Sequence, residues 1–279
     1  MVYILETHGC ASLPFLLIFT LLFQFMKIIS YNVNGIRAAM NKDLGSWVAQ
    51  EMPDVLCLQE TKAQPEQIDN NLFEKLGYNV YTHSAEKKGY SGVALMSLSK
   101  PDAVHYGMNN TRYDKEGRVL RADFGDVSII DVYFPSGTTG DIRQEFKMEF
   151  LSDFHRFLNS LRKGRPNLVI CGDFNICRLW IDIHNPKANL KTSGFLPEER
   201  EWFKEFIDDG YIDSFREFSS DPHNYSWWSF RANSRAKNKG WRIDYNIVTD
   251  NLKYRLVNAG IMPGVNHSDH CPVWVELKE

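Results

Sequence analysis

The sequence predicts an α/β domain in which two β-sheets pack face to face with helices on the outside. Three observations carry this expectation. Several segments are continuous apolar runs of strand length, the pattern of strands buried on both faces. Amphipathic helical stretches are interspersed among them. No low-complexity linker or solenoid-length repeat divides the 279 residues. One domain is therefore expected over residues 26–279, with residues 1–25 outside it.

Apolar residues make up 43% of the chain and charged residues 24%, values ordinary for a soluble globular protein. The net charge of -3 and a pI near 6.3 exclude a generally basic nucleic-acid coat but not a local basic patch. The five cysteines, Cys10, Cys57, Cys171, Cys177 and Cys271, form no CxxC pair. Their odd count and irregular spacing predict a reducing compartment and no disulfide framework.

Leu13 to Phe25 is strongly apolar but interrupted by Pro14, Thr20 and Gln24. It is shorter than the roughly 20 apolar residues of a bilayer-spanning helix. It has no positive flank before it and no small-residue cleavage site after it. Met26-Lys27-Ile28-Ile29-Ser30 reads as a chain start entering a strand. Residues 1–25 are thus expected to be an extension outside the fold, with a membrane anchor as the alternative reading.

Ile28 to Gly35 reads as a strand whose end carries Asn32 and Asn34, and Arg37 follows closely. Leu44 to Gln50 suits a short helix. Val55 to Glu60 is a buried-type strand ending in an acid. Pro65 to Leu76 reads as one helix stopped by Gly77. Tyr78 to His83 and Gly92 to Ser97 are strands, as are Arg118 to Phe124 and Val127 to Phe134 around the turn residues Gly125-Asp126. Glu145 to Leu161 has an amphipathic helical spacing, with Phe146, Phe150, Phe154 and Phe157 as a core stripe. Leu168 to Asn175 is an apolar strand that stops at Gly172 and delivers Asp173 and Asn175. Pro197 to Asp208 is a helix with Pro first and Glu198, Glu199 and Glu201 in its early turns, as the helix dipole prefers. Trp241 to Val248, Leu256 to Ile261 and Val273 to Leu277 complete the strands.

Polar groups recur at the strand edges: Asn32, Asn34, Glu60, Tyr133, Asp173, Asn175, Asp244, Asp269 and His270. Residues two apart on an extended segment face the same way, so Asp173 and Asn175 can address one volume. Each element alone also reads as an ordinary turn; an Asx-turn serves for Asp173. If Glu60, Asp173 and Asp269 converge, their repulsion is severe. Two like charges about 4 Å apart cost about 4 kcal/mol at an effective dielectric of about 20, so a cation must sit among them. Oxygen donors suit Mg²⁺ or Mn²⁺ rather than Zn²⁺. An imidazole beside a carboxylate adds a proton carrier near neutral pH, with Asp244 available to orient His270. This is the logic of metal-assisted phosphodiester hydrolysis.

The motifs Ser30-Tyr31-Asn32-Val33-Asn34-Gly35-Ile36-Arg37, Leu58-Gln59-Glu60-Thr61-Lys62, Gly89-Tyr90-Ser91-Gly92-Val93, Gly172-Asp173-Phe174-Asn175, Gly240-Trp241-Arg242-Ile243-Asp244-Tyr245 and Ser268-Asp269-His270-Cys271-Pro272 follow one another in order. In this the chain resembles the exodeoxyribonuclease III family, the class II apurinic/apyrimidinic endonucleases of the endonuclease/exonuclease/phosphatase superfamily. The resemblance runs from Met26 to the end. It implies a four-layer α/β sandwich of the deoxyribonuclease-I-like kind, two mainly antiparallel sheets flanked by helices. It implies a Mg²⁺ site, with Mn²⁺ as substitute, whose main ligand is Glu60. Asn32 and Asp269 complete or support that site, Asn34 lies beside it, and Asp173, Asn175 and His270 face it. Asp173 prepares the attacking water or protonates the leaving oxygen. Asn175 and Tyr133 hold the scissile phosphate, and His270, paired with Asp244, contacts the phosphate or acts as base.

Arg231 to Arg242 holds Arg231, Arg235, Lys237, Lys239 and Arg242 and no acid, with Trp227 and Trp228 just before it. Such a run is a solvated loop or a grip on a nucleic-acid backbone. The resemblance implies the latter, with Trp227 and Trp241 shaping an abasic-sugar pocket; Trp228 reads as core or spare surface. Arg37, Tyr90, Arg143, Asn189, Arg235 and Asn238 are then the candidate backbone contacts. A baseless nucleotide is cheap to expose because no pairing is broken. The implied partner is double-stranded DNA with abasic sites or 3′ ends, handled by a cytoplasmic, nucleoid-associated monomer with no membrane partner. Two departures from the family pattern stand out: Ser136 replaces an amide, and Trp180 replaces an acid. The competing readings are a superfamily phosphodiesterase for inositol phosphates or sphingomyelin, and a DNA-binding module without catalysis.

Overall fold

The structure, a computed structural model, describes residues 25–278. The expected extension therefore lies outside the described residues, except that its last residue, Phe25, opens the first strand. The first half of the chain runs β1 (Phe25–Asn32), α1 (Ile36–Met40), α2 (Leu44–Glu51), β2 (Val55–Gln59), α3 (Asn70–Lys75), β3 (Asn79–His83), β4 (Val93–Ser97), β5 (Ala103–Tyr106), α4 (Thr111–Asp114), β6 (Val119–Phe124) and β7 (Val127–Tyr133). The second half runs α5 (Asp141–Leu161), β8 (Asn167–Asp173), α6 (Pro197–Asp208), β9 (Tyr211–Asp213), α7 (Ser214–Phe218), β10 (Asp244–Thr249), β11 (Leu256–Ile261) and β12 (Val273–Lys278).

The strands form two six-stranded sheets, ordered β11-β12-β1-β2-β4-β3 and β5-β6-β7-β8-β10-β9. Each is antiparallel apart from one central parallel pair, β1 with β2 and β7 with β8. Strand alternation sends Ile28, Val55, Val93, Ile129, Val169 and Val275 into the space between the sheets. It sends Ile29, Tyr31, Leu56, Leu58 and Met96 outward against α1–α3. On the other side Ile130, Val132, Ile170 and Ile247 meet the Phe150, Phe154, Trp202 and Phe206 faces of α5 and α6. Four layers result, and strands buried on both faces must be apolar throughout. Full burial of each of these large side chains contributes about 1.5–3 kcal/mol.

This topology also places the site. The two parallel pairs end at one edge of the sandwich, at Asn32, Gln59, Tyr133 and Asp173. The antiparallel strand β10 starts at that edge, with Asp244 opposite Asp173. β12 starts there too, directly after Asp269, His270 and Cys271.

Some elements differ from the sequence expectation. The stretch Pro65 to Leu76 is not one helix. Pro65–Gln67 is a single 3₁₀ turn, the chain extends at Ile68, and Asp69 caps a new helix by accepting from the Leu72 amide at 3.3 Å. Ile68, at that break, is buried against the α1–α3 layer. α5 begins at Asp141, four residues before the expected start, because Gly140 at φ 111° lets the chain turn into it. β10 begins at Asp244 rather than Trp241, since Trp241 bridges to Trp227 and Ile183 instead. The short elements β5, β9, α1, α4 and α7 had no periodic signal long enough to read. The four cysteines among the described residues are buried thiols. No helix of the described residues is long and apolar enough to cross a membrane.

Candidate active site

The strand ends open into a cleft of about 370 Å³, lined by Asn34, Glu60, Lys62, Tyr133, Asp173, Asn175, Trp227, Trp241, Asp269 and His270 among others. Four non-glycine residues on its floor lie in the left-handed region: Asn34 (φ 46°), Glu60 (φ 49°), Lys62 (φ 49°) and Asn175 (φ 53°). Such backbone costs energy and is held only where surroundings over-determine it.

Asp173 is the centre of the floor. Its Oδ1 accepts from the Asn175 amide at 2.8 Å, and its Oδ2 accepts from Asn32 Nδ2 at 2.8 Å and Asn175 Nδ2 at 3.3 Å. Burial, then the neighbouring Asp244 charge, push its carboxyl up to about 8. His270 Nε2 lies 4.0 Å from Asp173 Oδ2. Its Nδ1 sits 2.9 and 3.1 Å from the two Asp244 oxygens, and Ser226 Oγ donates to Asp244 Oδ2 at 2.6 Å. Burial opposes a charged imidazole, but Asp244, with Asp173 and Asp269 behind it, overrides this and pushes His270 up to about 10.

Glu60 accepts from Asn32 Nδ2 at 3.0 Å, and Lys62 Nζ lies 2.7 Å from its Oε2. Burial resists its charge, yet Lys62 and Asn32 prevail and hold the carboxyl below its ordinary value. Asp269 accepts from Asn34 Nδ2 at 2.8 Å and from Trp227 Nε1 at 3.0 Å. Burial and the Glu60 charge push the Tyr133 phenol well up, so it stays a donor. Beneath it the buried Arg118 donates to the Tyr133 carbonyl at 2.8 Å and stacks 4.9 Å from its ring.

The carboxylates of Glu60 and Asp173 are oxygen donors of the kind a hard cation takes. Their oxygens and a His270 ring nitrogen all lie within 4.8 Å of one another. Asp269 lines the same cleft but is not part of that trio. Asn32 stands between the two acids. Its amide nitrogen spans Glu60 and Asp173, while its oxygen accepts from the Asn34 amide at 3.0 Å, so it spaces the acids.

The expected backbone contacts fall into three groups. Arg37 is exposed on α1. Tyr90 and Arg143 lie outside the cleft lining: Arg143 donates to Tyr90 Oη at 2.5 Å and to Glu116 at 3.0 and 3.2 Å, and Glu116 also holds Arg118 at 2.5 Å. Arg235, Asn238 and Asn189 are tied to backbone carbonyls of this chain, Arg235 to those of a neighbouring loop. Arg235 donates to the carbonyls of Ser268, Pro263 and Val265 at 3.0, 2.9 and 2.5 Å and stacks 4.6 Å from Trp228. Asn238 joins Trp228 Nε1 to the His223 carbonyl, and Asn189 donates to the carbonyls of His184 and Asn185. Buried Trp228 is core rather than spare surface. Ser136 lines the cleft and pairs with Thr138 at 3.0 Å. Trp180 has an account in the structure: it packs edge-on to Phe195 at 6.0 Å under the Arg200 guanidinium.

A family model, the endonuclease/exonuclease/phosphatase family, matches residues 29–270. The chain belongs to that family. Within it stands the exodeoxyribonuclease III and AP-endonuclease branch, for the chain is 43% identical over 250 residues to an exodeoxyribonuclease of Bacillus subtilis (strain 168), covering 89% of this chain and 98% of that one. An AP endonuclease from Archaeoglobus fulgidus superposes with a TM-score of 0.83 at 28% identity, covering 90% of this chain and 98% of that one. A 3′ phosphatase from Neisseria, bound to product DNA hairpin, gives a TM-score of 0.85 at 27% identity over 91% of this chain and 100% of that one. The protein is thus a nuclease of the DNA-repair kind.

Sequence reasoning missed several parts of this nuclease's site. Lys62 was visible only as part of a motif, and its ammonium is the cation that the acids keep near them. Ser226, which fixes Asp244, carries no sequence signal. Behind the Trp241 wall a buried ion network joins Asp182 to Arg242 at 2.8 Å and Arg242 to Asp213 at 2.6 Å, with Arg216 also on Asp182. Burial opposes the Asp182 charge, but Arg242 holds its carboxyl below the ordinary value. Asp182→Asn is expected to cost about 3 kcal/mol, the penalty of breaking a buried pair. A carboxyl depressed on folding stabilises above its unfolded pKa, near 3.9, and that stability is lost as pH falls through the folded value. Urea melts should therefore show the gap between wild type and variant narrowing below about pH 4. A gap constant from pH 7 to the acid limit would refute the network's role.

Proposed function

We propose that this nuclease cuts the DNA phosphodiester 5′ to an abasic site, and that it also trims duplex 3′ ends as a 3′→5′ exonuclease or 3′-phosphatase. The observation carrying this reading is the convergence of Glu60, Asp173 and the Asp244-held His270 at the floor of a cleft walled by Trp227 and Trp241. The Trp227 and Trp241 wall is apolar, and the loop from Arg231 to Arg242 beside it is basic, with Phe230 73% exposed at its start.

The proposed cofactor is Mg²⁺, with Mn²⁺ as substitute, held by Glu60 and Asp173 with Asp269 and His270 beside them. When bound, such a cation supplies charge stabilisation to the phosphate oxygens. The protein's own groups do the rest. Asn175, Tyr133 and Lys62 hold the phosphate. Water attacks phosphorus, the bond from phosphorus to the upstream O3′ breaks, and that oxygen takes a proton to leave a 3′-hydroxyl. Asp173 and His270 act as one proton-handling unit, since they face each other across 4.0 Å and Asp244 keeps the imidazole oriented.

A labelled duplex with one abasic site tests the reading. Incubation with Mg²⁺ should give a single cut on the 5′ side, and a chelator should abolish it. Cleavage of sphingomyelin or an inositol phosphate with the duplex left intact would overturn it. Equal cleavage in chelator would do so as well.

A further inference from the structure

One buried charge in α5 does not belong to the aromatic stripe around it. Lys147 lies fully buried between Phe146 and Phe150, paired at 2.5 Å with Glu199 of α6, which is also fully buried. A buried ion pair is weak support for stability, because desolvating both charges offsets their attraction. Where such a pair points therefore matters more than what it adds to stability.

It points at one side of the cleft. Lys147 Nζ also donates to the Asn175 carbonyl at 2.9 Å. Glu199 Oε2 accepts from the amides of Gly194 at 2.6 Å and Leu196 at 3.0 Å. Its Oε1 accepts from Gln144 Nε2 at 3.0 Å, and Gln144 Oε1 accepts from Ser193 Oγ at 2.7 Å. Two segments of the lining, at Asn175 and at Ser193-Gly194, are thus tied to a single pair of charges. Gly194 is wedged between Asn175 and Trp241. At φ +95°, a Cβ there would fall 3.0 Å from the Asn175 carbonyl and 3.0 Å from the Trp241 ring. The separation between Asn175 and Trp241 is therefore set by the Gly194 backbone, and the Gly194 backbone is set by Glu199.

We propose that Lys147 and Glu199 are positioning residues that fix the width of the sugar pocket between Asn175 and Trp241, and so set selection of a baseless nucleotide over an intact one. This rests on reading the cleft as an abasic-nucleotide pocket. Neither side chain touches substrate; both act through backbone. Apolar pockets discriminate weakly by size, about 10- to 200-fold per small group, and only while their walls do not yield. Fixed charges buried behind the wall keep it from yielding.

The test is the double variant Lys147→Met, Glu199→Gln, which removes both charges together and leaves neither one unpaired. Two specificity constants are measured on the metal-loaded enzyme and their ratio taken: kcat/KM for a duplex with an abasic analogue, against kcat/KM for release of an intact 3′ nucleotide. The ratio should fall about tenfold or more as the wall gives way. An unchanged ratio in the folded variant overturns the proposal. So does a double variant that fails to fold, for the pair would then be a stability element. A second readout needs no DNA. With 5-fluorotryptophan incorporated, the Trp241 fluorine resonance, assigned by its loss in Trp241→Phe, should shift or broaden in the double variant. If wild type cuts no abasic duplex, the reading of the cleft fails, and an unmoved Trp241 resonance separately refutes the role of the pair.

Discussion

Asp173→Asn is expected to lower turnover on an abasic duplex by at least about 1,000-fold, a loss of about 4 kcal/mol in barrier, while duplex affinity stays within about threefold of wild type. The substitution keeps the shape of the floor. Asn32, the Asn175 amide and the Asn175 side chain all direct donors at Asp173, and an amide oxygen can still accept from one or two of them. What is lost is an acid that sits 4.0 Å from His270 Nε2 and exchanges protons near neutral pH. Affinity should survive because Asp173 is no part of the basic stretch from Arg231 to Arg242, whose proposed contacts are to backbone phosphate. Turnover and filter binding measured together check this; near-wild-type turnover would sink the proton-handling role.

The same variant should be the more stable protein in metal-free buffer. Asp173 is an acid whose folded pKa, about 8, is raised above its unfolded value. The folded state then binds the extra proton, so wild-type stability falls as pH rises from about 4 towards 8. Asparagine has no such dependence. The stability gain of Asp173→Asn should therefore grow with pH across that window, and chelated melts at several pH values would show it. A gain that is flat in pH would mean that burial does not penalise this carboxylate. His270→Ala belongs to the same unit and should lose turnover to a comparable extent, since its loss leaves Asp173 and Asp244 facing each other without a cation between them.

How much of this was legible in advance follows the physics of each signal. The strands of both sheet centres were readable because burial on two faces forces an unbroken apolar run, as in Leu168 to Cys171. The polar end at Asp173 was readable for the same reason, since an acid and an amide interrupt the run there, whereas Glu60 alone was uninformative and gained meaning only beside the other strand ends. The motif resemblance then supplied the convergence that local pattern could not. Parts acting through space had no comparable mark. Lys147 looks like one charged position on an amphipathic helix until Glu199, 52 residues on, is seen opposite it. Asp131 sits in the apolar run of β7, yet Gln59 Nε2 reaches it at 2.6 Å across the inter-sheet core, and burial drives its carboxyl well up. Arg235 and Asn238 show the same limit from the other side. A basic or amide side chain in a polar loop reads as free, and only the fold reveals that its donors are committed to this chain's own carbonyls.

Glu60→Gln should be as damaging to turnover as Asp173→Asn, at least about 1,000-fold, but for a separable reason. Glu60 ends β2 in a left-handed turn that puts its carboxylate between Asn32 Nδ2 at 3.0 Å and Lys62 Nζ at 2.7 Å. Its carboxyl is held below the ordinary value, so it is an anion through the whole neutral range. The ammonium of Lys62, which also reaches Asn34 Oδ1 at 2.5 Å, occupies the flank of this anion. A divalent cation binding here must share the carboxylate with Lys62, and an amide oxygen has no charge to share. A cation at 100 times its Kd stabilises the folded state by about 2.7 kcal/mol. Wild type should therefore melt higher in Mn²⁺ than in chelator, and Glu60→Gln should lose that rise. Asp173→Asn leaves Glu60 in place and should keep part of it. That asymmetry separates the two acids. If Glu60→Gln kept the full Mn²⁺ shift while losing turnover, Glu60 would be holding Lys62 rather than the metal, and the cation would have to be assigned to Asp173 with Asp269.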